Sequence, residues 1–494
     1  MSNLIVTKLN EVFIKVTCET CIARELSENF SFYAPGYRFM PAFKMRMWDG
    51  KIRLFNTANN TLYVGLLPKL KEFCEANEYT IEFDKTFNQF ENYNFSEQDC
   101  TTFLKTLNLT LSARDYQLSA IAHSIRNNRA LLLSPTGSGK SFIIYALTRF
   151  HNKKTLIVVP TVSLVHQMLS DFKAYAVKDD TIDVESDYHC IFSGQEKDTN
   201  SKYVISTWQS IFKMPKSWFE QFEVVIGDEC HLFKAKSLIS IMEKLVNAKY
   251  RIGTTGTLDD SQTNKLTLEG LFGDTFSVTT TKELMDNKHL SKLSIDCIIL
   301  KYPEDICKFA KDANYQDEIK FLIQNPKRNA FIRNLALTTK TNCLVLFQLV
   351  DLHGKVLYKL IQDKIKSDNL NRKVFFVSGE VDAKVRENIR QIVETEKDAI
   401  IVASSGTFST GINIRNLENI IFASPTKSRI KTLQSIGRTL RIGDTSDKAK
   451  LYDIVDDLTH KKHKNFAVKH FLERVKIYDE QQFEYKIHRI TIKQ

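Results

Sequence analysis

The chain has 494 residues, 43% of them hydrophobic and 26% charged, with a formal net charge of +11. That length exceeds one compact core and points to about three domains. Its longest unbroken apolar runs are strand-sized, its N-terminus lacks a leader's apolar core, and its nine scattered cysteines form no disulfide framework. A cytoplasmic protein with an affinity for polyanions is the expectation.

The first 105 residues are dense in aromatics and turn formers and lack strand–helix alternation, so 1–105 reads as an accessory domain. Cys18 and Cys21 form a lone C-x-x-C pair, half of what a structural zinc site needs, and are read as incidental thiols. Between Gly36 and Phe55, Arg38, Lys44, Arg46, Lys51 and Arg53 stand against a single acid, Asp49. Tyr37, Phe39, Phe43, Trp48 and Phe55 are interleaved with them. Two readings follow: cations on phosphates with aromatics on exposed bases, or a hairpin with its aromatics turned inward. Arg38, Lys44, Arg46, Trp48, Lys51 and Arg53 are the nucleic-acid candidates of this stretch.

From about residue 106 the pattern changes. Short apolar runs (Ala130–Leu133, Thr155–Val159, Tyr203–Ser206, Val224–Ile226, Arg251–Gly253) alternate with amphipathic stretches. A second series follows at Cys343–Phe347, Val374–Val377, Ala399–Ala403, Asn419–Ala423 and Leu451–Ile454. Such alternation reads as parallel sheets covered by helices, hence two α/β domains, 106–285 and 327–494, with 286–326 as connector.

Ser134-Pro135-Thr136-Gly137-Ser138-Gly139-Lys140-Ser141 follows the first strand of the first series and precedes a helix. Gly137 and Gly139 let Thr136 to Ser138 curl their N–H groups toward phosphate oxygens, and the helix N-terminus adds its dipole. Lys140 reaches the β- and γ-phosphates of ATP, and Ser141 offers a ligand to Mg²⁺. Twenty residues upstream, Tyr116 and Gln117 offer a stacking face and a donor–acceptor amide to adenine, against the alternative of a Ser112-capped helix with a surface Gln. Downstream, Asp228 and Glu229 end a buried run: one carboxylate for the metal shell, one to orient water.

At this point the chain resembles the superfamily 2 helicases. Pro160–Gln167 and Thr207–Ser210 are similar to the first nucleic-acid-contacting blocks, which assigns backbone contacts to Thr161, Gln167, Thr207 and Gln209. Thr254–Thr257 is similar to the block coupling hydrolysis to strand movement. Val402–Gly411 is similar to the block touching both strand and nucleotide, which gives Thr410 to the strand and Gly411 to the nucleotide. Gln434-Ser435-Ile436-Gly437-Arg438-Thr439-Leu440-Arg441 matches Q-x-x-G-R-x-x-R. With no phosphate loop in the second series, Gln434, Arg438 and Arg441 are expected to complete the ATP site, the guanidiniums lying one helical turn apart. Two RecA-like parallel-sheet motor domains in tandem, with a small N-terminal α+β accessory domain, are the fold expected.

The Gly36–Phe55 stretch, together with Gly227–His231, Val377–Val381 and Phe408–Gly411, resembles the UvsW-type recombination helicases of tailed phages. That resemblance implies an N-terminal DNA-binding domain and activity on junctions, forks and R-loops. An ATP- and Mg²⁺-dependent DNA helicase is the expectation, a monomer in the host cytoplasm with DNA as partner and RNA–DNA hybrids included. A double-strand translocase that never separates strands is the runner-up. An RNA helicase and a non-catalytic scaffold stand further off: Cys230 and His231 depart from Asp-Glu-Ala-Asp, and the catalytic set is intact.

Overall fold

In a computed structural model the described residues are 3–85, 94–233, 235–258, 262–407, 414, 416–425, 436–437 and 448–492. The chain divides into one unit of 1–134 with 139–279 and a second of 135–138 with 280–494.

The first unit begins with a small α+β fold. Strands β1 (Asn3–Lys8), β2 (Phe13–Thr17), β5 (Thr61–Tyr63) and β6 (Thr80–Phe83) form a sheet in the order β5-β2-β1-β6. β2 runs antiparallel to β1, and β6 parallel to it. β3 (Ser31–Tyr33) and β4 (Lys51–Arg53) pair separately and carry the segment between them outward. Leu4, Val6, Ile14 and Val16, alternating as strand sterics require, bury their side chains completely.

The accessory fold is seated on the next domain. Tyr63 Oη donates to Glu243 Oε1 at 2.7 Å, and Lys69 pairs with Glu269 at 3.4 Å. The backbone of the turn Val64–Leu66 lies against the helix Gln262–Phe272 so closely that a Cβ on Gly65 would stand 2.1 Å from Glu269 O. Arg129 turns its guanidinium to Glu11, meeting the carbonyl and, at 3.2 Å, the carboxylate. Leu4, Leu26 and Leu62 of the accessory fold and Leu131, Val158 and Val204 of the motor belong to one hydrophobic cluster.

That motor is a seven-stranded, wholly parallel sheet. β7 (Arg129–Leu133), β8 (Thr155–Val159), β9 (Tyr188–Ile191), β10 (Tyr203–Thr207), β11 (Val224–Asp228), β12 (Tyr250–Thr255) and β13 (Thr275–Ser277) stand in the order β13-β7-β12-β11-β8-β10-β9. β8, β10 and β11 are buried at every position, as a sheet covered on both faces demands.

The second unit holds another seven-stranded parallel sheet. β14 (Lys292–Lys301), β15 (Cys343–Phe347), β16 (Val374–Val377), β17 (Ile400–Ser404), β18 (Asn419–Phe422), β19 (Lys448–Asp457) and β20 (Glu484–Thr491) take the order β16-β17-β15-β18-β19-β14-β20. Here the sequence reading of 286–326 as connector meets a difference. β14 is a ten-residue strand inside that sheet, registered from Lys292 against Lys448 to Lys301 against Asp457. Lys292, Ser294 and Asp296 break its apolar pattern, and its partners lie more than 150 positions downstream. Two buried charge groups pin this unit. Arg328 Nε meets Asp456 at 2.8 Å, with the Tyr302 hydroxyl donating to the same carboxylate, and Arg474 Nε meets Asp453 at 2.8 Å, with the Tyr478 hydroxyl donating to that carboxylate. Removing one partner of such a buried pair costs about 3–5 kcal/mol.

Candidate nucleotide and nucleic-acid sites

The C-terminal edge of the first motor sheet gathers the chemistry. β7 ends at Leu133, and Ser134 N donates to Thr255 O at 2.8 Å, tying the loop to the end of β12. Gly137 and Gly139 take φ of +87° and +83°, the left-handed region that a side chain resists. Ser138 Oγ donates to Pro135 O at 2.7 Å, closing the loop on itself. The helix Lys140–His151 starts from Gly139 without any side-chain cap, leaving its first N–H groups for a ligand. Lys140 Nζ rests on Ser134 O at 3.2 Å.

Gln117 is buried, not on the surface, and Arg114, not Ser112, is the N-cap residue of its helix, Asp115–Asn127. Its Oε1 accepts from Arg114 N at 2.9 Å, and its Nε2 lies 2.4 Å from where a Cβ of Gly139 would stand. The amide thus touches the phosphate loop itself. Tyr116 Oη accepts from Arg114 Nη1 at 2.7 Å. Tyr175 Oη donates to Ser141 Oγ at 3.4 Å, a contact with no signal in the sequence.

Asp228 ends β11 directly opposite Thr254 of β12, and that register lets Thr254 Oγ1 donate to Asp228 Oδ1 at 2.8 Å. Burial raises the Asp228 carboxyl above the usual carboxylate range, and the neighbouring Glu229 charge raises it further. Lys140 and the Thr254 hydroxyl pull it back. Glu229 follows at φ +49°, which swings the chain away from the strand axis. His231 Nδ1 lies 3.0 Å from Thr255 Oγ1 and 3.4 Å from Glu229 Oε2, and Thr255 Oγ1 donates on to Thr257 O at 3.0 Å. The acidic pair and the Thr254–Thr257 block are therefore one hydrogen-bonded assembly. The β11–β12 register that creates it could not be read from spacing. A divalent cation fits this donor set, because a buried carboxylate with a second carboxylate beside it gains most from added positive charge.

The nucleic-acid candidates continue along the same edge, one and two strands further. Thr161 follows β8, caps the helix Val162–Ala176 and accepts from Leu164 N at 3.4 Å. Thr207 ends β10, is buried, and shares its hydroxyl with Ser210 at 2.9 Å. Gln209 is exposed and donates to Pro160 O at 3.3 Å, joining the two blocks, while Gln167 is half-buried on the helix. Both threonine hydroxyls are engaged internally. Thr410, Gly411, Gln434, Arg438 and Arg441 lie outside the described residues.

In the accessory fold the Gly36–Phe55 segment combines both sequence readings. Tyr33 stacks on Tyr37, Tyr37 meets Phe43 edge-on, and Trp48 Nε1 donates to Lys51 O at 2.9 Å, so these rings are tied down within the segment although none is fully buried. The cations divide. Lys51 and Arg53 pair with Glu28, and Arg53 also holds Asp49, pulling that carboxyl down to about 2. Arg38, Lys44 and Arg46 are exposed, with no ion pair among the described residues. They border a concavity of about 540 Å³ that is also lined by Phe43, Met47 and Trp48. No helix among the described residues is long and apolar enough to cross a membrane.

Comparison with known proteins agrees with this architecture. Residues 6–84 match the family "DNA helicase UvsW, N-terminal", 110–260 match "Type III restriction enzyme, res subunit", and 326–443 match "Helicase conserved C-terminal domain". The chain is 35% identical over 505 aligned residues to the ATP-dependent DNA helicase uvsW of Enterobacteria phage T4, covering 97% of this chain and 98% of that protein. The crystal structure of T4 UvsW aligns over 99% of both chains at 34% identity with a TM-score of 0.52. A shorter stretch, 30% of this chain and 31% of the relative, is 27% identical to the DNA 3'-5' translocase XPB2 of Sulfurisphaera tokodaii. With two parallel-sheet motors, the three family matches and likeness along almost its whole length, the chain belongs to the UvsW family of superfamily 2 ATP-dependent DNA helicases.

Proposed function

We propose that this helicase opens and branch-migrates branched DNA (junctions, forks and R-loops) in recombination, repair or replication, as a monomer in the host cytoplasm. The observation that carries the motor reading is the shared edge. β7, β12 and β11 end in the phosphate loop and the acidic assembly, and β8 and β10 end in the strand-contacting blocks. Ligands of open parallel sheets bind at the carboxyl ends of strands. The likeness to UvsW-type enzymes and the unpaired cations of the accessory fold support the choice of branched substrates.

In this reading ATP lies on the N–H groups of Thr136 to Gly139, with Lys140 leaving Ser134 O for the phosphates. Gln117 and Tyr116 bracket the adenine. Ser141 and Asp228 hold Mg²⁺, which when bound offsets the charge of the β- and γ-phosphates. Glu229 orients the attacking water, with His231 beside it to steady the carboxylate. Thr254 and Thr255 relay the state of that pair to the strand-contacting edge. On the strength of their sequence block alone, Gln434, Arg438 and Arg441 complete the transition-state charge, and Thr410 and Gly411 serve the strand and the nucleotide.

The experiment is a panel: a mobile four-way junction, a fork, an RNA–DNA hybrid loop and a linear duplex, each assayed for strand separation and ATP hydrolysis. Branched substrates are expected to be separated in preference to linear duplex. Lys140→Ala should abolish DNA-stimulated hydrolysis while DNA binding persists. No separated product from any branched substrate, with hydrolysis intact, would support the second reading, a double-strand translocase, which the partial likeness to a named DNA translocase favours.

A further inference from the structure

The segment between β3 and β4 ends in a tip of unusual composition. Phe39 is 81% exposed, Met47 79% and Met45 68%, with Met40 beside them. Soluble surfaces seldom gather large apolar side chains in this way. The tip is built, not loose. Gly36 at φ +69° starts the turn Tyr37–Phe39, Pro41 opens the short helix Pro41–Lys44, and Arg46 N returns to Phe43 O at 3.0 Å. Ala34 N donates to Gly50 O at 2.8 Å, and Gly50 lets the Tyr37 ring approach to where a Cβ would meet it at 2.4 Å. The inward rings of Tyr37 and Phe43 fix the loop, which leaves Phe39 and the methionines pointing out.

What covers such a tip is indicated by its charge. Arg38, Lys44 and Arg46, which make no ion pair among the described residues, are chain neighbours of Phe39, Met45 and Met47 and line one concavity with Met47, whereas Lys51 and Arg53 are paired with Glu28 and Asp49. A ligand meeting this surface presents anionic groups around flat apolar faces. A duplex end or branch point does so, with phosphates flanking bases whose stacking partner is missing, and a continuous duplex does not. We propose that Phe39, with Met45 and Met47, is a stacking wedge that takes the exposed base pair at a DNA branch point while Arg38, Lys44 and Arg46 hold its phosphates. This deepens the branched-DNA reading and rests on it. The wedge sits on the accessory fold, which is locked to the first motor through Glu11–Arg129 and Gly65, so it moves with that motor.

The test places 2-aminopurine in the base pair at a fork and, as a reference, inside a linear duplex, with the full-length enzyme added at saturating concentration without nucleotide. The wild type should raise fluorescence at the fork several-fold more than in the duplex. Phe39→Ala should lose most of that rise, Phe39→Trp should restore it, and strand separation per ATP hydrolysed should drop about tenfold in Phe39→Ala, the loss of one base–aromatic stack. Equal fluorescence from the wild type and Phe39→Ala would overturn the wedge. So would a change in sedimentation state caused by Phe39→Ala, which would mark the tip as a face for a second copy. If the wild type separates no branched substrate, the branched-DNA reading itself fails. If it does and Phe39→Ala separates as much per ATP, the wedge alone fails.

Discussion

Replacing Gly65 by alanine plants a methyl group where the accessory fold meets the helix Gln262–Phe272. The new Cβ would lie 2.1 Å from Glu269 O, 2.6 Å from Gly270 O and 2.9 Å from Gly270 C, where ordinary contact begins at 3.4 Å. Every one of these neighbours is main chain, so no side chain can swing aside. The helix or the turn must retreat by about 1 Å, breaking the packing on both sides. Overpacking costs about 1–3 kcal/mol, and a backbone obstruction belongs at the upper end. For a unit of this size each kcal/mol lowers the melting temperature by about 2–4 °C, so a drop of about 6–12 °C is expected. Differential scanning calorimetry of the full chain reads it directly, with Gly270→Ala as control. There the added Cβ would lie 3.0–3.3 Å from the Tyr63 side chain and no nearer, a contact that a shift of a few tenths of an ångström relieves, so a much smaller drop is expected. A Gly65→Ala transition within about 2 °C of wild type would refute the claim that the two folds share a rigid seat.

Thr254→Val keeps the shape of β12 but removes the donor to Asp228, so that carboxyl moves further upward. The acid limb of DNA-stimulated ATP hydrolysis should shift to higher pH, with Thr254→Ser restoring it, and superimposable pH profiles would exclude the contact. Burial pushes the His353 imidazole down to about 3, and its Nε2 meets no partner among the described residues. The folded second unit therefore holds this ring neutral while the unfolded chain titrates it near 6.5. Its contribution is complete above that pH and falls progressively as pH drops toward 3, by about 3 kcal/mol at pH 4. His353→Asn should flatten the acid limb of thermal stability, and an unchanged slope would contradict the burial effect. Lys44→Gln with Arg46→Gln should reduce the salt slope of DNA binding by about two counterions, whereas Arg53→Gln, already paired with Glu28 and Asp49, should change it less. Equal effects would show that the ion pairs give way to phosphate.

Much of this was legible because local chemistry dictates it. Runs such as Val224–Ile226 can be buried on both faces only inside a covered parallel sheet, and each of the ten strand runs read from the sequence falls on a strand, with Ala399 and Ala423 lying one residue outside β17 and β18. Gly137 and Gly139 take the positive φ that their residue type invites. What escaped depends on partners distant in sequence. β14 becomes a strand because β19 and β20 flank it, and Gln117 is buried because Gly139 leaves room for its amide. The division of cations around Gly36–Phe55 turns on Glu28, an acid outside the stretch that the sequence reading weighed.

The Arg129–Glu11 lock has a consequence for how this enzyme can be dismantled. Burial draws the guanidinium down to about 10, and Glu11 is the acid beside it that offsets the loss of water. Arg129 opens the strand that leads straight into the phosphate loop. Trimming the first eighty-odd residues would strand that cation and strip the sheet face behind it, so the ATP-binding lobe cannot be harvested as a free-standing fragment. A graft of the accessory fold onto a foreign motor would need a matching arginine at the foot of the recipient's first strand.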